Sequence, residues 1–246
     1  LDNPKIDLMS ISFTLDDNIF LPEEYVRTLK SEFCGVFYDR FILGKWVAAE
    51  GRVYEGFSKK NVVSSKEISE KLSENKLIHS AVGVDYGGNG SASAFVHVGF
   101  DAGYKNVYVL SEYYDKKNRS AENLISAFSE YISREKERFP ALSEAYCDSA
   151  EQLLVKSFRQ SVRIEVKNAR KKPINTRINM LNRLISSGRL WVSEDCPHLI
   201  EALETAVWDE RDIHKDVRLD DGSTNIDSLD AMEYAFETYE RQLFGF

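Results

Sequence analysis

The chain has 246 residues, 43% of them hydrophobic and 29% charged, enough for one good-sized domain with an appendage. No apolar run approaches the roughly 20 residues that a membrane helix requires, and the opening LDNPKID has neither the basic start nor the apolar core of a signal peptide, nor an initiating Met. A membrane-spanning helix is thereby excluded, and the chain reads as a fragment of something longer whose net charge of -8 argues, taken whole, against a polyanionic partner.

Residues 1 to about 60 are rich in aromatics and end in FYDRFILGKWVAAEGRVYEGF. Pro22 and Glu23 open a short helix to about Phe33. The segment is too poor in core residues to fold alone, and residues 1–74 are expected to form a linker arm that packs on a neighbouring domain. The polar run SKKNVVSSKEISEKLSEN, residues 58–75, reads as a linker or an exposed helix, with the main domain over residues 75–246.

That domain opens on IHSAVGVDYGG, a buried strand that ends on Asp85 and breaks at a glycine pair. Strands at about 78–85, 92–99 and 106–114 form a meander, and a helix from Ser120 to Arg138 follows, closed by Pro140. LSEAYCD is a second strand that terminates on an acid, Asp148. A helix over 150–159, a strand over 162–166, a basic loop, a helix over 174–187 stopped by Gly188 and a small strand over 189–193 come next. Two helices, 198–209 and 226–244, complete the chain. The order matches a ribonuclease-H-like α/β fold, a mixed sheet with helices on both faces.

Three cysteines, Cys34, Cys147 and Cys196, lack CxxC spacing and read as core thiols in a reducing compartment. The four histidines, His79, His97, His198 and His214, show no ligand spacing and read as structural or surface residues.

Asp85 and Asp148 both end strands, and in the inferred order those strands can lie side by side and parallel, so that the two carboxylates converge. A strand-end acid at the carboxyl edge of such a sheet sits where α/β folds locate chemistry, although Asp followed by Gly is also ordinary turn chemistry. Asp227 and Asp230 are one helical turn apart in NIDSLDAMEYAF and share a face. Gathered carboxylates repel one another unless a hard divalent cation such as Mg²⁺ or Mn²⁺ is present. Each acid also has a plainer reading. Asp148 could cap a helix, with Glu151 completing a capping box, and Asp227 and Asp230 suit the positive end of a helix, with Leu229, Met232, Phe236, Tyr239 and Leu243 forming the buried stripe.

The positive charge is concentrated. Between Lys156 and Arg189 the basic residues are Lys156, Arg159, Arg163, Lys167, Arg170, Lys171, Lys172, Arg177, Arg183 and Arg189, against Glu165 as the one acid. Phosphate contacts from Lys167, Arg170, Lys171 and Lys172 would set affinity for nucleic acid without reading its sequence; a solvated basic loop is the alternative. Trp191, Trp208 and the tyrosines read as core.

FYDRFILGKWVAAEGRVYEGF, VGVDYGG, AYCDSAE, RINMLNRLISSGRLWVSEDCPHLIEALETAVWDE and NIDSLDAMEYAF together resemble the large terminase subunit of tailed bacteriophages, in the right order and over nearly the whole chain. The resemblance implies a ribonuclease-H-like nuclease that cuts concatemeric viral double-stranded DNA in the cytoplasm of the infected host, using Mg²⁺ or Mn²⁺, two ions in all. It places metal-binding aspartates at Asp85, Asp148 and Asp230. Many relatives have a histidine where this chain has Asp227, which leaves that residue as a fourth ligand, a proton-handling group or a bystander. No GxxxxGK[ST] loop is present, so the family's N-terminal packaging ATPase is expected to be missing; the resemblance also implies the portal protein and the small terminase subunit as partners. The other readings are a docking module of the packaging motor that has no working site, and an actin-like phosphotransferase suggested by VGVDYGG alone.

Overall fold

The computed structural model describes residues 11, 13–47, 49–87, 91–117, 120–211, 217–222 and 225–245. It divides into two compact units, residues 1–49 and 50–246. In the first, a 3-10 turn at Leu15–Asp17 precedes helix α1 (Glu23–Glu32), which begins directly after Pro22 with Glu23 and Glu24 in its first turn, where the helix dipole favours acids. Lys30 of α1 reaches back to Asp16 at 2.6 Å. A second helix, α2 (Gly35–Phe41), follows; Phe37 and Phe41 stack on it with ring centroids 6.3 Å apart.

The second unit starts well before the polar run ends, because residues 50–74 are built into it. Strand β1 (Val62–Val63) is an edge of the sheet, and helix α3 (Ser65–Glu74) forms because Ser64 and Glu67 complete a reciprocal capping box. Ile68 of α3 is buried in a small cluster with Val63, Tyr108 and Leu110. The second compact unit spans Glu50–Phe246.

Strands β2 (Leu77–Asp85), β3 (Ser93–Asp101) and β4 (Val107–Asp115) form the expected antiparallel meander. Helix α4 (Ala121–Arg138) is capped by the Ser120 hydroxyl, which accepts from the Asn123 N–H. Then come β5 (Leu142–Cys147), α5 (Gln152–Ser161), β6 (Glu165–Asn168), α6 (Ile174–Ser186), β7 (Leu190–Ser193), α7 (Pro197–Thr205), α8 (Asp227–Phe236) and α9 (Glu240–Phe244). Among the described residues seven strands form one mixed sheet, in the order β1-β7-β4-β3-β2-β5-β6, with β5 parallel to β2 and β7 parallel to β4.

The two-residue alternation of β2 separates the layers. Val82 and Val84 point into a core shared with Leu124 and Phe128 of α4 and Val155 and Phe158 of α5. Gly83, between them, faces α8, and a Cβ there would stand 1.6 Å from the Ala231 carbonyl oxygen. Helices therefore cover both faces, and α8 lies against the strand that carries Asp85. The predicted stripe of α8 and its continuation, Leu229, Met232, Phe236, Tyr239 and Leu243, is buried throughout.

Two expected helices are shorter than their periodicity suggests. The helix over 198–209 starts at Pro197 and ends at Thr205, since Val207 and Trp208 leave it to make bridges with Arg52 and Arg218. The helix over 226–244 is broken by a 3-10 turn at Glu237–Tyr239, where fully buried Glu237 spends its carboxylate on the N–H groups of Lys171 and Lys172. Cys147 and Cys196 are buried free thiols, and Cys34 is partly buried. His97 is wholly buried, with Ser80 at 2.9 Å and Glu135 at 3.1 Å; His214 lies outside the described residues.

Candidate functional site

Asp85 lies at the carboxyl edge of β2, and Asp148, Asp227 and Asp230 are near enough to act on it electrostatically. The ladder between these strands pairs Val84 with Cys147, and the Asp148 N–H continues it by donating to the Val84 carbonyl at 3.1 Å. Asp85 and Asp148 therefore leave neighbouring strands at the same level. Asp148 caps no helix: α5 starts at Gln152, Glu151 occupies the cap position without a side-chain bond, and Asp148 Oδ1 instead accepts from the Ala150 N–H at 2.9 Å in a local turn. Lys171 Nζ lies 2.9 and 2.8 Å from its two oxygens. The Tyr86 hydroxyl donates to the Asp148 carbonyl at 2.5 Å and closes that side.

Helix α8 brings the other pair. Asp230 Oδ1 accepts from Arg177 Nη1 at 2.8 Å and Arg218 Nη2 at 2.6 Å. Asp227 Oδ2 accepts from the Ala92 N–H at 3.0 Å, which ties the start of α8 to the segment leading into β3.

Asp85 is different, because its carboxylate has no hydrogen bond or ion pair among the described residues. Burial, then the negative charges of Asp230, Asp227 and Asp148, push its carboxyl up to about 8, against a smaller opposing pull from Lys171. Burial and the charges of Asp230, Asp85 and Asp148 likewise push up the Tyr234 phenol, so one ring of α8 senses three of the four acids. For Asp227, burial raises the carboxyl, the Ala92 N–H opposes it, and Asp230 adds to the rise.

Behind Asp230 stands a buried ionic cluster with no warning in the motif spacing. Glu233, fully buried, accepts from Arg218 Nη1 at 2.5 Å and from Arg177 Nη1 at 2.8 Å, while the buried Tyr54 hydroxyl accepts from Arg218 at 2.7 Å and donates to Glu233 at 3.1 Å. Glu233 could have been suspected as a lone acid in the apolar run from Ala231 to Phe236, since buried carboxylates require partners. Its partners could not, because Tyr54 and Arg218 are remote in sequence from it and from each other.

The basic residues expected to meet nucleic acid separate into three groups. Lys171 joins the acids. Lys167 lies on Glu144 at 2.6 Å and Glu165 at 3.0 Å, and Lys172 pairs with Glu240. Arg170 is exposed and makes no hydrogen bond or ion pair among the described residues. Trp208 is buried as expected; Trp191 is partly buried under Lys71, whose Nζ stands 3.7 Å from its ring centre.

A family model for the terminase RNaseH-like domain matches residues 82–238 of this chain, from β2 through α8. The chain belongs to that family. The large subunit of the PBSX phage terminase of Bacillus subtilis (strain 168) is 28% identical over 232 residues, a match that covers 92% of this chain and 50% of that protein. The chain thus spans about half the length of this curated relative. The fold agrees with solved terminases: the large terminase of a thermophilic bacteriophage, solved in complex with ADP, superposes with a TM-score of 0.73 at 23% identity, over 90% of this chain and 53% of that one. The nuclease domain of the large terminase g2p of bacteriophage SPP1, solved with bound Mn, gives 0.56 at 16% identity, over 78% of this chain and 99% of that one. As a terminase RNaseH-like domain the chain has the mixed sheet and the two helical layers that its sequence implies.

The donor set suits a hard divalent cation in type. Asp85, Asp148, Asp227 and Asp230 supply oxygen atoms only, and Asp85 is a carboxylate crowded by like charges with no cation bonded to it. Among the described residues, no three Asp, Glu, His or Cys side chains stand close enough together to share one ion. Lys171 lies on both oxygens of Asp148, which must give it up to hold an ion, whereas the two arginines bond Asp230 through Oδ1.

Proposed function

We propose that this chain is the nuclease part of a large terminase subunit, a divalent-metal-dependent endodeoxyribonuclease that cuts concatemeric double-stranded viral DNA during genome packaging in the host cytoplasm. The observation that carries the reading is Asp85: a partly buried carboxyl without a bonded counter-charge, facing three further aspartates at one sheet edge. Such an arrangement is unfavourable for folding and is the kind of feature found at sites of chemistry.

Asp85, Asp148 and Asp230 would hold the ions, with Asp227 the candidate fourth ligand. The Mn bound to the SPP1 nuclease domain supports Mn²⁺ or Mg²⁺ as the cofactor, and a pair of ions would suit in-line phosphodiester hydrolysis. Such ions, when bound, activate the attacking water and neutralise the leaving oxygen of a phosphodiester. The chain's own residues orient the acids: the β2–β5 ladder sets Asp85 against Asp148, the Ala92 N–H anchors Asp227, and Arg177 with Arg218 fixes the rear oxygen of Asp230. Arg170, exposed beside Lys171, is the foremost candidate for a phosphate contact, with Lys167 and Lys172 able to contribute only by leaving their acids. The packaging ATPase, the portal protein and the small terminase subunit are the partners this reading implies.

The test is nicking of supercoiled plasmid in Mn²⁺. Asp85→Asn and Asp148→Asn should each lower the rate by a factor of about 100 or more, the order expected when a metal-holding group is lost, with an unchanged circular dichroism spectrum. Two fully active variants would remove the nuclease reading and leave a docking module.

A further inference from the structure

Lys171 adopts φ +49°, a left-handed backbone that L-residues other than Gly, Asn and Asp seldom take. Buried Glu237 holds that conformation, its Oε1 accepting from the Lys171 N–H at 2.8 Å and its Oε2 from the Lys172 N–H at 2.9 Å. A buried carboxylate bonded to two successive amides clamps the turn firmly. The consequence is positional: the clamped turn directs the Lys171 ammonium onto both oxygens of Asp148, with the Tyr234 ring centre 5.9 Å from the same nitrogen.

The cations around the acids are not equivalent. Arg177 and Arg218 are buried and each also bonds Glu233, so withdrawing either would strand a buried charge. The Lys171 side chain is 41% exposed and Asp148 is its one acidic partner among the described residues. Its flexible stem lets the ammonium swing into water while the backbone stays clamped. Of the three, Lys171 alone can leave cheaply.

Resting on the nuclease reading above, we propose that Lys171 is a built-in competitor for the metal at Asp148. Its ammonium neutralises Asp148 when no ion is bound and is displaced when one enters, so that the Glu237-clamped turn sets the ion concentration at which the site fills. Lys171 is in this sense a positioning and occupancy residue, and strain retained in its backbone is consistent with a functional constraint at that turn.

The experiment is calorimetric titration of the whole chain with MnCl₂ at neutral pH, without DNA. Lys171→Asn removes the ammonium and tolerates the left-handed backbone, and Lys171→Arg keeps the charge. Loss of a two-oxygen charge-assisted contact should tighten Mn²⁺ binding about tenfold in Lys171→Asn, while Lys171→Arg should stay within about twofold of wild type. An unchanged or weaker affinity in Lys171→Asn, or equal tightening in both variants, overturns the proposal while leaving the nuclease reading intact. Wild-type binding that is absent, or that Asp148→Asn does not diminish, overturns both. Thermal melts in EDTA check that both variants remain folded.

Discussion

Arg218 and Asp230 are bound at 2.6 Å from behind the acid cluster, and the same guanidinium carries Glu233 at 2.5 Å and the Tyr54 hydroxyl at 2.7 Å. A single buried arginine thus links the site to the interior of α8 and to a tyrosine from the start of the second unit. Glu233 is fully buried, and losing one of the two arginines that it shares with Asp230 leaves a buried negative charge uncompensated. Arg218→Met should cost on the order of 3–5 kcal/mol in urea unfolding. A loss below about 1 kcal/mol, within the range of surface pairs, would show that the cluster is not holding Glu233 as described.

Gly83 makes a steric prediction. Its missing Cβ lets the Ala231 carbonyl of α8 pack on β2, and the 1.6 Å approach that a methyl would create is with backbone, which cannot rotate aside. Gly83→Ala should displace α8 and destabilise the chain by roughly 3 kcal/mol or more, at or beyond the upper end of overpacking costs. A melting temperature within a degree of wild type would contradict the β2–α8 contact.

Asp85 should show a trade of stability against activity. Burial among like charges penalises the ionised form of its carboxyl, which has no bonded partner, so Asp85→Asn should stabilise the chain in EDTA by about 1 kcal/mol while lowering cleavage by a factor of about 100 or more. Added Mn²⁺ should raise the melting temperature of wild type by linkage and leave that of the variant unmoved. An Asp85→Asn variant that melts lower in EDTA would mean the carboxylate has a stabilising partner after all.

Acid should loosen a second network, around Glu144 of β5, which pairs with Ala81 midway along β2. Burial works against ionisation of Glu144, but hydrogen bonds from Lys167, Tyr239 and Tyr146 outweigh it and draw the carboxyl down to about 2. The unfolded chain therefore takes up the proton first as pH falls. The stabilisation is whole above about 4.5, the ordinary glutamate value, and drains away between there and about 2, for a total on the order of 2 kcal/mol. Urea midpoints at pH 6 and pH 3 should fall further apart in wild type than in Glu144→Gln; equal differences would rule the network out as their source.

Much of this protein is local in origin, and the local part was legible. Alternating Val82 and Val84 around small Gly83, then Asp85 before a glycine pair, read directly as a strand with an acid at its end. The meander and the stripe of α8 are likewise short-range patterns, because side-chain periodicity and turn chemistry act over a few residues. Where a nearer rule competed, the reading split: DSAE offered both a helix cap and a strand-end acid, and the β2–β5 ladder selected the second by holding the Asp148 N–H on Val84.

By itself the sequence determined the order of strands and helices and the acids that end them, since each depends on neighbours in the chain. Only the tertiary structure decided the charges around those acids: that Lys171 turns onto Asp148, that Arg177 and Arg218 enclose Glu233 and hold Asp230, and that Lys167 lies instead on Glu144. Ion pairing depends on distance and burial in space, and residues as far apart as Tyr54, Arg218 and Glu233 acquire both only when the sheet and α8 have packed.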